Sequence, residues 1–198
     1  MLVTNKAPQL KGVAVLGCGQ IEENFELYKN IGSKGAVVFF YPKDFTFVCP
    51  SEIIAFDHRC AEFEARGISV IGVSCDNEFC HFAWRETDIK NGGIGRVKFP
   101  LVADMDKSWA RGFDVLFNES VALRGSFLLD ADGTVRHAVI NDLPLGRNID
   151  EMLRMVDAML FTNEHGEVCP AGWNKGDKAM KPSTEGVAAY LGENGSNL

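Results

Sequence analysis

Two segments constrain the fold more than any other feature of the sequence: the apolar run at residues 36–41 (AVVFFY) and the mostly apolar segment at residues 68–74 (ISVIGVS). Runs of this length and composition are typical of strands that are buried on both faces of a parallel sheet. A helical pattern over residues 50–65 lies between them, and a second one over residues 77–89 follows. This alternation predicts an α/β domain with right-handed crossovers between parallel strands.

The remaining elements are expected to add antiparallel strands to this sheet. Residues 13–28 are punctuated by glycines and predict a hairpin or turn near the N-terminus. Residues 125–130 and 134–140 flank a turn signal and predict a second hairpin. Residues 149–161 form an amphipathic helical pattern. The resulting order of strands, helices, hairpin and final helix is that of a thioredoxin-like sheet.

The chain changes character after Thr162, so we predict a domain over residues 1–162 and a C-terminal arm over residues 163–198. The second segment is rich in Gly, Asn, Lys and Glu, and it has few apolar residues in periodic order. It is not expected to form a core of its own. Two interpretations remain open, a disordered tail or an arm that lies on a partner subunit, and Cys169 and Trp173 favour the arm.

The charge of the chain argues against two classes of partner. A net charge of −7 over 198 residues disfavours nucleic acids and anionic membrane surfaces.

No run approaches the roughly 18 apolar residues of a membrane span, and the first residues, MLVTNKAPQL, lack the apolar centre of a secretory signal. We therefore expect a cytoplasmic location, where the six cysteines are inert, metal-bound or part of redox chemistry.

Cys49 differs from the other cysteines because Pro50 follows it directly. Proline is favoured in the first turn of a helix, where its missing N–H costs nothing. Cys49 is then expected at the N-cap, facing free N–H groups and the positive end of the helix dipole, which is a setting that favours a nucleophilic thiolate. Thr46 is expected within reach of the sulfur, and Pro42 is expected to shield it from water. From these residues alone, a reactive Cys49 and a buried structural Cys49 both remain open.

A thiol that is oxidised to a sulfenic acid needs a second thiol if over-oxidation is to be avoided. Cys169 lies in a polar segment, and of the other five cysteines it is the best placed to swing onto Cys49. The remaining cysteines fit structural or inert positions: Cys18, Cys60, Cys75 and Cys80. The neighbouring pair Cys80 and His81 is a weak metal signal without a matching CxxC motif, so no metal site is predicted.

Several segments together resemble the peroxiredoxin family. Residues 40–52, FYPKDFTFVCPSE, resemble its active-site segment, Pro-x-x-x-Thr/Ser-x-x-Cys, through Pro42, Thr46 and Cys49. Residues 165–173, HGEVCPAGW, are similar to the resolving-cysteine segment of the typical two-cysteine subgroup. Three further segments agree in order: SCDNEFCHFAW at 74–84, LRGSFLLD at 123–130 and NDLPLGRNIDEMLR at 141–154. The resemblance covers nearly the whole chain.

This resemblance implies a thiol peroxidase on a thioredoxin-like fold, without a cofactor. Cys49 is implied as the peroxidatic thiolate, and Arg124 as the cation that pairs with it and orients the peroxide. Thr46 is implied to hydrogen-bond both the sulfur and the substrate oxygen. Glu52 and Arg147 are implied to steer the Arg124 guanidinium. A permanently charged guanidinium would stabilise the thiolate and the negative charge that develops on the leaving oxygen.

The resemblance also implies an assembly. Cys169 would resolve the sulfenic acid across a dimer interface, five dimers would form a ring, and thioredoxin or a flavoprotein would reduce the disulfide. The chain itself has no dinucleotide loop, because Gly17-Cys18-Gly19 lacks the third glycine and has Glu22 in its place. Residues 92–95, GGIG, resemble the loop of members that are sensitive to over-oxidation, but Tyr190-Leu191 replaces their Tyr-Phe pair. Intermediate sensitivity is therefore expected.

Two alternatives come from other functional classes. A thiol-based redox relay or a ring-shaped holdase chaperone is compatible with peroxidase activity in the same protein. A thioredoxin-like disulfide reductase is disfavoured, because the sequence contains no CxxC motif.

Overall fold

The computed structural model of the chain describes residues 2–197. Its strands are β1 (Lys11–Val15), β2 (Ile21–Glu26), β3 (Gly35–Phe40), β4 (Ile68–Ser74), β5 (Leu101–Ala103), β6 (Leu116–Phe117), β7 (Val121–Ala122), β8 (Arg124–Asp130) and β9 (Val135–Asn141). Its α-helices are α1 (Cys49–His58), α2 (Cys60–Ala65), α3 (Glu78–Glu86), α4 (Ser108–Gly112), α5 (Ile149–His165) and α6 (Thr184–Asn194). Short 3₁₀ turns occur at Leu27–Lys29, Ile89–Asn91 and Gly195–Asn197. The described chain groups into two compact units, one ending at Ile149 and the other beginning at Asp150.

A seven-stranded sheet in the order β2-β1-β5-β4-β3-β8-β9 forms the first unit. Strands β3, β4 and β5 are parallel, whereas the β1–β2 hairpin and the β8–β9 hairpin join the sheet by antiparallel pairing. Strands β6 and β7 pair separately. The predicted thioredoxin-like α/β fold and both predicted hairpins are thereby confirmed.

The apolar run that defines β3 is buried at every position, because helices and loops cover both faces of the sheet at this strand. On one face the Phe39 ring stacks on Phe56 of α1, with ring centroids 4.2 Å apart. On the other face Phe40 packs against Phe113 at 5.1 Å and against Phe127 at 5.9 Å. These contacts fix α1 against the sheet and thereby fix the position of the first residue of α1.

The helix predicted over residues 50–65 is two helices, α1 and α2, which are separated at Arg59. The N–H of Arg59 donates to the Phe56 carbonyl in a tighter turn, so the helical hydrogen bonding is interrupted there. Cys49 is the first helical residue rather than the N-cap, which corrects the sequence prediction. The reason is that Val48 before it already has helical backbone angles, with φ −84° and ψ −35°.

Helix α3 is shorter than the pattern over residues 77–89 predicts, and it ends at Glu86. Asn77 caps its N-terminus, where the side-chain oxygen accepts a hydrogen bond from the Cys80 N–H at 2.8 Å. At the other end Thr87 adopts an extended backbone, with φ −81° and ψ 130°. The chain then enters the glycine loop, where Gly92 and Gly95 have left-handed backbone angles.

The second unit contains more regular structure than the sequence predicts. Helix α5 continues to His165, and α6 occupies part of the segment whose composition suggested a disordered tail. Ser183 caps α6 by accepting a hydrogen bond from the Gly186 N–H at 3.0 Å. Trp173 is buried and packs on Phe161 of α5, with ring centroids 5.0 Å apart. The disordered interpretation is therefore wrong for the described part of the arm, while contact with a partner subunit stays a prediction.

The predicted boundary at residue 162 follows composition, whereas the compact unit begins at the start of α5 because this helix packs with the arm. The division at 162 stays a prediction. Among residues 2–197, no helix combines the length and the apolar character of a transmembrane segment.

Candidate active site

The fold brings the carboxyl end of β3, the start of α1 and the start of β8 to the same edge of the sheet. Because β8 runs antiparallel to β3, its first residue, Arg124, lies beside the end of β3. Cys49 at the start of α1 is fully buried, with 0% of its surface exposed. Side chains at the carboxyl edge of parallel strands commonly form binding sites.

Two side chains direct hydrogen-bond donors at the Cys49 sulfur. The Thr46 hydroxyl Oγ1 lies 2.9 Å from Sγ, and the Arg124 guanidinium Nη1 lies 3.4 Å from it. Thr46 Oγ1 also lies 2.8 Å from the Lys43 carbonyl oxygen. Because a hydroxyl has a single proton, it donates to only one of these two acceptors at a time. The Arg124 charge therefore always faces the sulfur, whereas the Thr46 proton points either at the sulfur or at the Lys43 carbonyl.

Arg124 is buried and held from two other directions. Its Nε donates to the Leu143 carbonyl at 2.7 Å, and Nη1 donates to Glu52 Oε2 at 2.7 Å. Only 4% of its side chain is exposed. The guanidinium cannot lose its proton at physiological pH, so its positive charge is fixed beside the sulfur.

Glu52 connects Arg124 to a second buried arginine, Arg147. The Arg147 guanidinium donates to both Glu52 oxygens, at 2.8 Å from Nε and 2.9 Å from Nη2, and the Arg147 backbone N–H adds a third hydrogen bond at 2.8 Å. Burial raises the pKa of Glu52, but the hydrogen bonds and charge of Arg147, together with the charge of Arg124, outweigh it and lower the pKa overall. Glu52 is therefore a carboxylate that balances one of two adjacent cations.

Arg147 is itself fixed by the end of the sheet. Its Nη1 donates to the Gly125 carbonyl at 2.6 Å and to Ser126 Oγ at 3.0 Å. The guanidinium carbon lies 5.5 Å from the centre of the Phe39 ring, in a cation–π position.

Pro42 is half-buried immediately beyond β3, and its role as a shield for the sulfur stays a prediction. The sequence-predicted Cys49, Thr46, Arg124, Glu52 and Arg147 thus form one connected cluster.

Comparison with known proteins places this chain in a family. Residues 3–138 match the model of the AhpC/TSA family, and residues 158–193 match a model described as the C-terminal domain of 1-Cys peroxiredoxin. This chain belongs to the AhpC/TSA family. It is 63% identical to alkyl hydroperoxide reductase C of Helicobacter pylori over 100% of both chains.

Two more distant relatives extend the likeness of this AhpC/TSA protein. It is 44% identical to the mitochondrial thioredoxin-dependent peroxide reductase of Drosophila melanogaster, over 98% of this chain and 82% of that one. The solved structure of reduced Plasmodium vivax 2-Cys peroxiredoxin superposes with a TM-score of 0.94 and 44% identity, covering 97% of this chain and 99% of that one.

The other sulfurs of this AhpC/TSA protein have different surroundings. Cys169 is half-buried in the second unit, where Sγ lies 3.7 Å from Thr162 Oγ1 and 3.8 Å from the Ala158 carbonyl oxygen. Burial is the main factor that raises the pKa of Cys75 to about 11 and that of Cys80 to about 12. Within the described residues, no group of three or more His, Cys, Asp and Glu side chains is arranged to hold a metal ion.

Sequence reasoning missed a second buried polar cluster in the loop that leads to Cys49. Asp44, within the family segment, accepts hydrogen bonds from Tyr41 at 2.8 Å and contacts His81 at 2.7 Å. The sequence signals were an acid next to an apolar run and a histidine on a helix, but His81 was weighed only as a metal ligand beside Cys80. The pairing of residues so far apart in sequence required the fold.

Proposed function

We propose that this protein is a thiol peroxidase that reduces hydrogen peroxide and alkyl hydroperoxides, with Cys49 as the attacking sulfur. The observation that carries the proposal is the pair of donors, Thr46 and Arg124, directed at a buried Cys49 sulfur. Fixed donors of this kind stabilise a thiolate and the negative charge that develops on the departing oxygen.

In the first step the Cys49 thiolate attacks the terminal peroxide oxygen, and the O–O bond breaks. A Cys49 sulfenic acid forms, while the other oxygen leaves with the bonding electron pair, takes up a proton and departs as water or an alcohol. Arg124 donates to the anionic sulfur and to the leaving oxygen, and Thr46 orients the peroxide for in-line displacement. Glu52 and Arg147 hold the Arg124 guanidinium in place, and Pro42 excludes water from the sulfur.

In the second step the Cys169 thiol of the partner subunit condenses with the sulfenic acid. A disulfide forms and water leaves. Because Cys49 is fully buried at the first position of α1, this step requires the first turn of that helix to unfold. The weak contacts of Cys169, both longer than 3.6 Å, support its role as the thiol that moves.

An external dithiol then reduces the disulfide and restores both thiols. We propose thioredoxin or a dedicated flavoprotein as the reductant, and the name of the Drosophila relative, a thioredoxin-dependent peroxide reductase, supports the first. We further propose homodimers that assemble into a ring of five. The cytoplasmic location expected from the sequence stays a prediction.

The test begins with the fully reduced protein and one equivalent of peroxide. Wild-type protein is expected to consume peroxide with a dithiol donor and to give a dimer band on a non-reducing gel, which both Cys49→Ser and Cys169→Ser lose. Cys18→Ser is the matched control, because this exposed cysteine has no part in the reaction. Peroxide consumption that persists in Cys49→Ser would overturn the proposal, and a monomer-only gel for the wild type would remove Cys169 from it.

A further inference from the structure

A buried histidine that the proposed reaction does not use contacts the loop that leads to Cys49. His81 lies on the inward face of α3, and both its side chain and that of Asp44 are 0% exposed. The ring nitrogen Nδ1 is 2.7 Å from Asp44 Oδ2, and Nε2 is 3.2 Å from the Val102 carbonyl oxygen on β5. Both ring nitrogens therefore face oxygen atoms.

The proton count of this cluster follows from those contacts. A carbonyl oxygen only accepts, so Nε2 carries a hydrogen. If Nδ1 and the Asp44 carboxylate both lacked a proton, two lone pairs would face each other at 2.7 Å between side chains that are 0% exposed. A proton therefore lies between them, and when Nδ1 carries it, His81 and Asp44 form a charge-assisted pair.

The other groups that face Asp44 do not remove the need for that proton. Tyr41 donates its hydroxyl hydrogen to Asp44 Oδ1 at 2.8 Å. Burial, followed by the charge of Asp44, raises the pKa of Tyr41 well above 10, so this hydroxyl stays protonated. Burial, followed by the charge of Asp44, raises the pKa of the Cys80 thiol on α3 to about 12, so this thiol stays protonated. Tyr41 therefore donates to the carboxylate, whereas Asp76, the neighbouring carboxylate, adds negative charge.

Asp44 is also held through its backbone. Its N–H donates to Asp76 Oδ2 at 2.9 Å, and Asp76 is fixed by the Ser74 hydroxyl at 2.7 Å. The next residue, Phe45, has φ +52°, which is a left-handed conformation that bulky residues rarely adopt. Such a conformation is strained and persists only where its surroundings hold it.

Thr46 follows this strained residue directly, and it is the residue whose hydroxyl reaches the Cys49 sulfur at 2.9 Å. The direction of that hydroxyl therefore depends on the backbone that Asp44 anchors. If Asp44 loses its buried partner, its carboxylate is left unpaired in the interior, which is costly. The loop is then expected to leave the strained conformation at Phe45.

We propose that protonated His81 is a positioning residue for the reaction of Cys49. It acts through Asp44, which holds the loop in the conformation that directs Thr46 at the sulfur. This inference rests on the proposed peroxidase function and adds to it a group that touches neither the sulfur nor the peroxide.

The first test uses the wild-type protein. A long-range ¹H–¹⁵N correlation spectrum of the imidazole rings at neutral pH, assigned by comparison with His81→Asn, is expected to show hydrogens on both ring nitrogens of His81. A spectrum in which either nitrogen lacks a hydrogen would overturn the inference. This measurement does not depend on peroxide chemistry.

The second test compares two substitutions at the same position. His81→Phe keeps a ring but removes both donors, whereas His81→Asn keeps an N–H donor on the side that faces Asp44. We expect His81→Phe to lower the second-order rate constant of reduced Cys49 with hydrogen peroxide by about 10- to 100-fold, as small misplacements of a reacting group do. His81→Asn is expected to recover most of that loss.

Trp109→Phe is the matched control for lost packing. It also removes a buried ring N–H donor, which bonds to the Lys11 carbonyl at 3.1 Å, but it lies in α4 away from this loop. We expect its rate constant to stay near the wild-type value. A His81→Phe rate equal to that of wild type, or a His81→Asn rate no better than that of His81→Phe, would overturn the inference. Wild-type protein that fails to reduce peroxide would instead overturn the proposed function, and the spectrum would still report on His81.

Discussion

Cys49 is fully buried, and its sulfur receives donors from Thr46 and Arg124, whereas Cys169 is half-buried and has long contacts only. The two sulfurs therefore differ in how firmly each is held. A sulfur that must attack a peroxide oxygen along one line benefits from fixed donors. A sulfur that must travel to meet another benefits from weak contacts, because few interactions are lost when it moves.

The same difference extends to the charges around each sulfur. Near Cys49, the buried Glu52 carboxylate is shared by Arg124 and Arg147, and all three side chains are at most 4% exposed. In the second unit the ion pair between Lys178 and Glu193 lies at the surface, with both side chains 61% exposed. Surface pairs contribute little to stability, whereas the loss of one partner from a buried pair is costly. The loss of one partner is therefore expected to cost more stability in the first region than at this surface pair.

The largest effect is expected from Arg124→Gln. This change removes the fixed charge at 3.4 Å from the Cys49 sulfur, so the rate constant for peroxide should fall by roughly 10²–10³-fold, as when a donor to a developing anion is removed. Stopped-flow measurement on the reduced protein checks this. Arg111→Gln, which breaks an exposed pair with Glu119, is the control for lost charge. A rate within the range of that control would show that Arg124 does not stabilise the reacting sulfur.

The next effect concerns Glu52→Gln and stability. Removing the carboxylate leaves two buried guanidinium groups unbalanced, so the free energy of unfolding should fall by on the order of 3 kcal/mol at pH 7. Urea unfolding monitored by circular dichroism measures it. The equivalent change in an exposed pair, Glu119→Gln, should cost less than about 1 kcal/mol. If the two variants lose the same stability, the buried cluster contributes no more to the free energy of unfolding than an exposed ion pair does.

The pH dependence of stability should also distinguish wild-type protein from Glu52→Gln. The pKa of Glu52 is lowered in the folded state, so its stabilising contribution is complete above the unfolded pKa of about 4.3 and is lost as the pH falls through the folded value. Wild-type protein should therefore lose more stability than Glu52→Gln below about pH 4. If the free energy of unfolding falls equally in the two proteins at acid pH, the pKa of Glu52 is not lowered in the folded state.

The sequence predicted the strands of the site better than its polar contacts. The uninterrupted run in β3 and the hairpin of β8 and β9 could be read from apolar patterns alone, because burial on both faces leaves a direct trace in composition. No local pattern predicts the contact between Arg147 and Glu52, because the two residues are 95 positions apart in the sequence. The predicted role of Arg147 came from the family resemblance, which carries information about tertiary structure that a local pattern does not.

Two further features ran against local pattern. Phe45 is an aromatic residue in a left-handed conformation, which no propensity predicts, and it is held there by tertiary contacts. Helix α6 was missed because its apolar residues, 187–191, stand in one run and not at helical spacing. The Ser183 cap is a local signal for the start of this helix.

A smaller effect is expected from Cys169→Ser. The contacts of this sulfur, at 3.7 Å to Thr162 and 3.8 Å to the Ala158 carbonyl, are weak, so the free energy of unfolding should change by less than about 1 kcal/mol. Urea unfolding of the reduced variant measures the change, and Cys18→Ser provides the value for an exposed cysteine. A loss as large as that of Glu52→Gln would mean that the second sulfur is held as firmly as the first.

The smallest effect is expected from Cys75→Ala. Burial is the main cause that raises the pKa of this thiol to about 11, so at pH 7 only about one molecule in ten thousand carries the thiolate there. Since the thiolate is the nucleophile, Cys75 should add nothing measurable to the reaction with peroxide, and the rate constant of the variant should match that of wild type. The contrast between the two regions then depends on Cys49 and Cys169 alone. A clear fall in the rate constant at unchanged stability would show that a third sulfur takes part in the reaction.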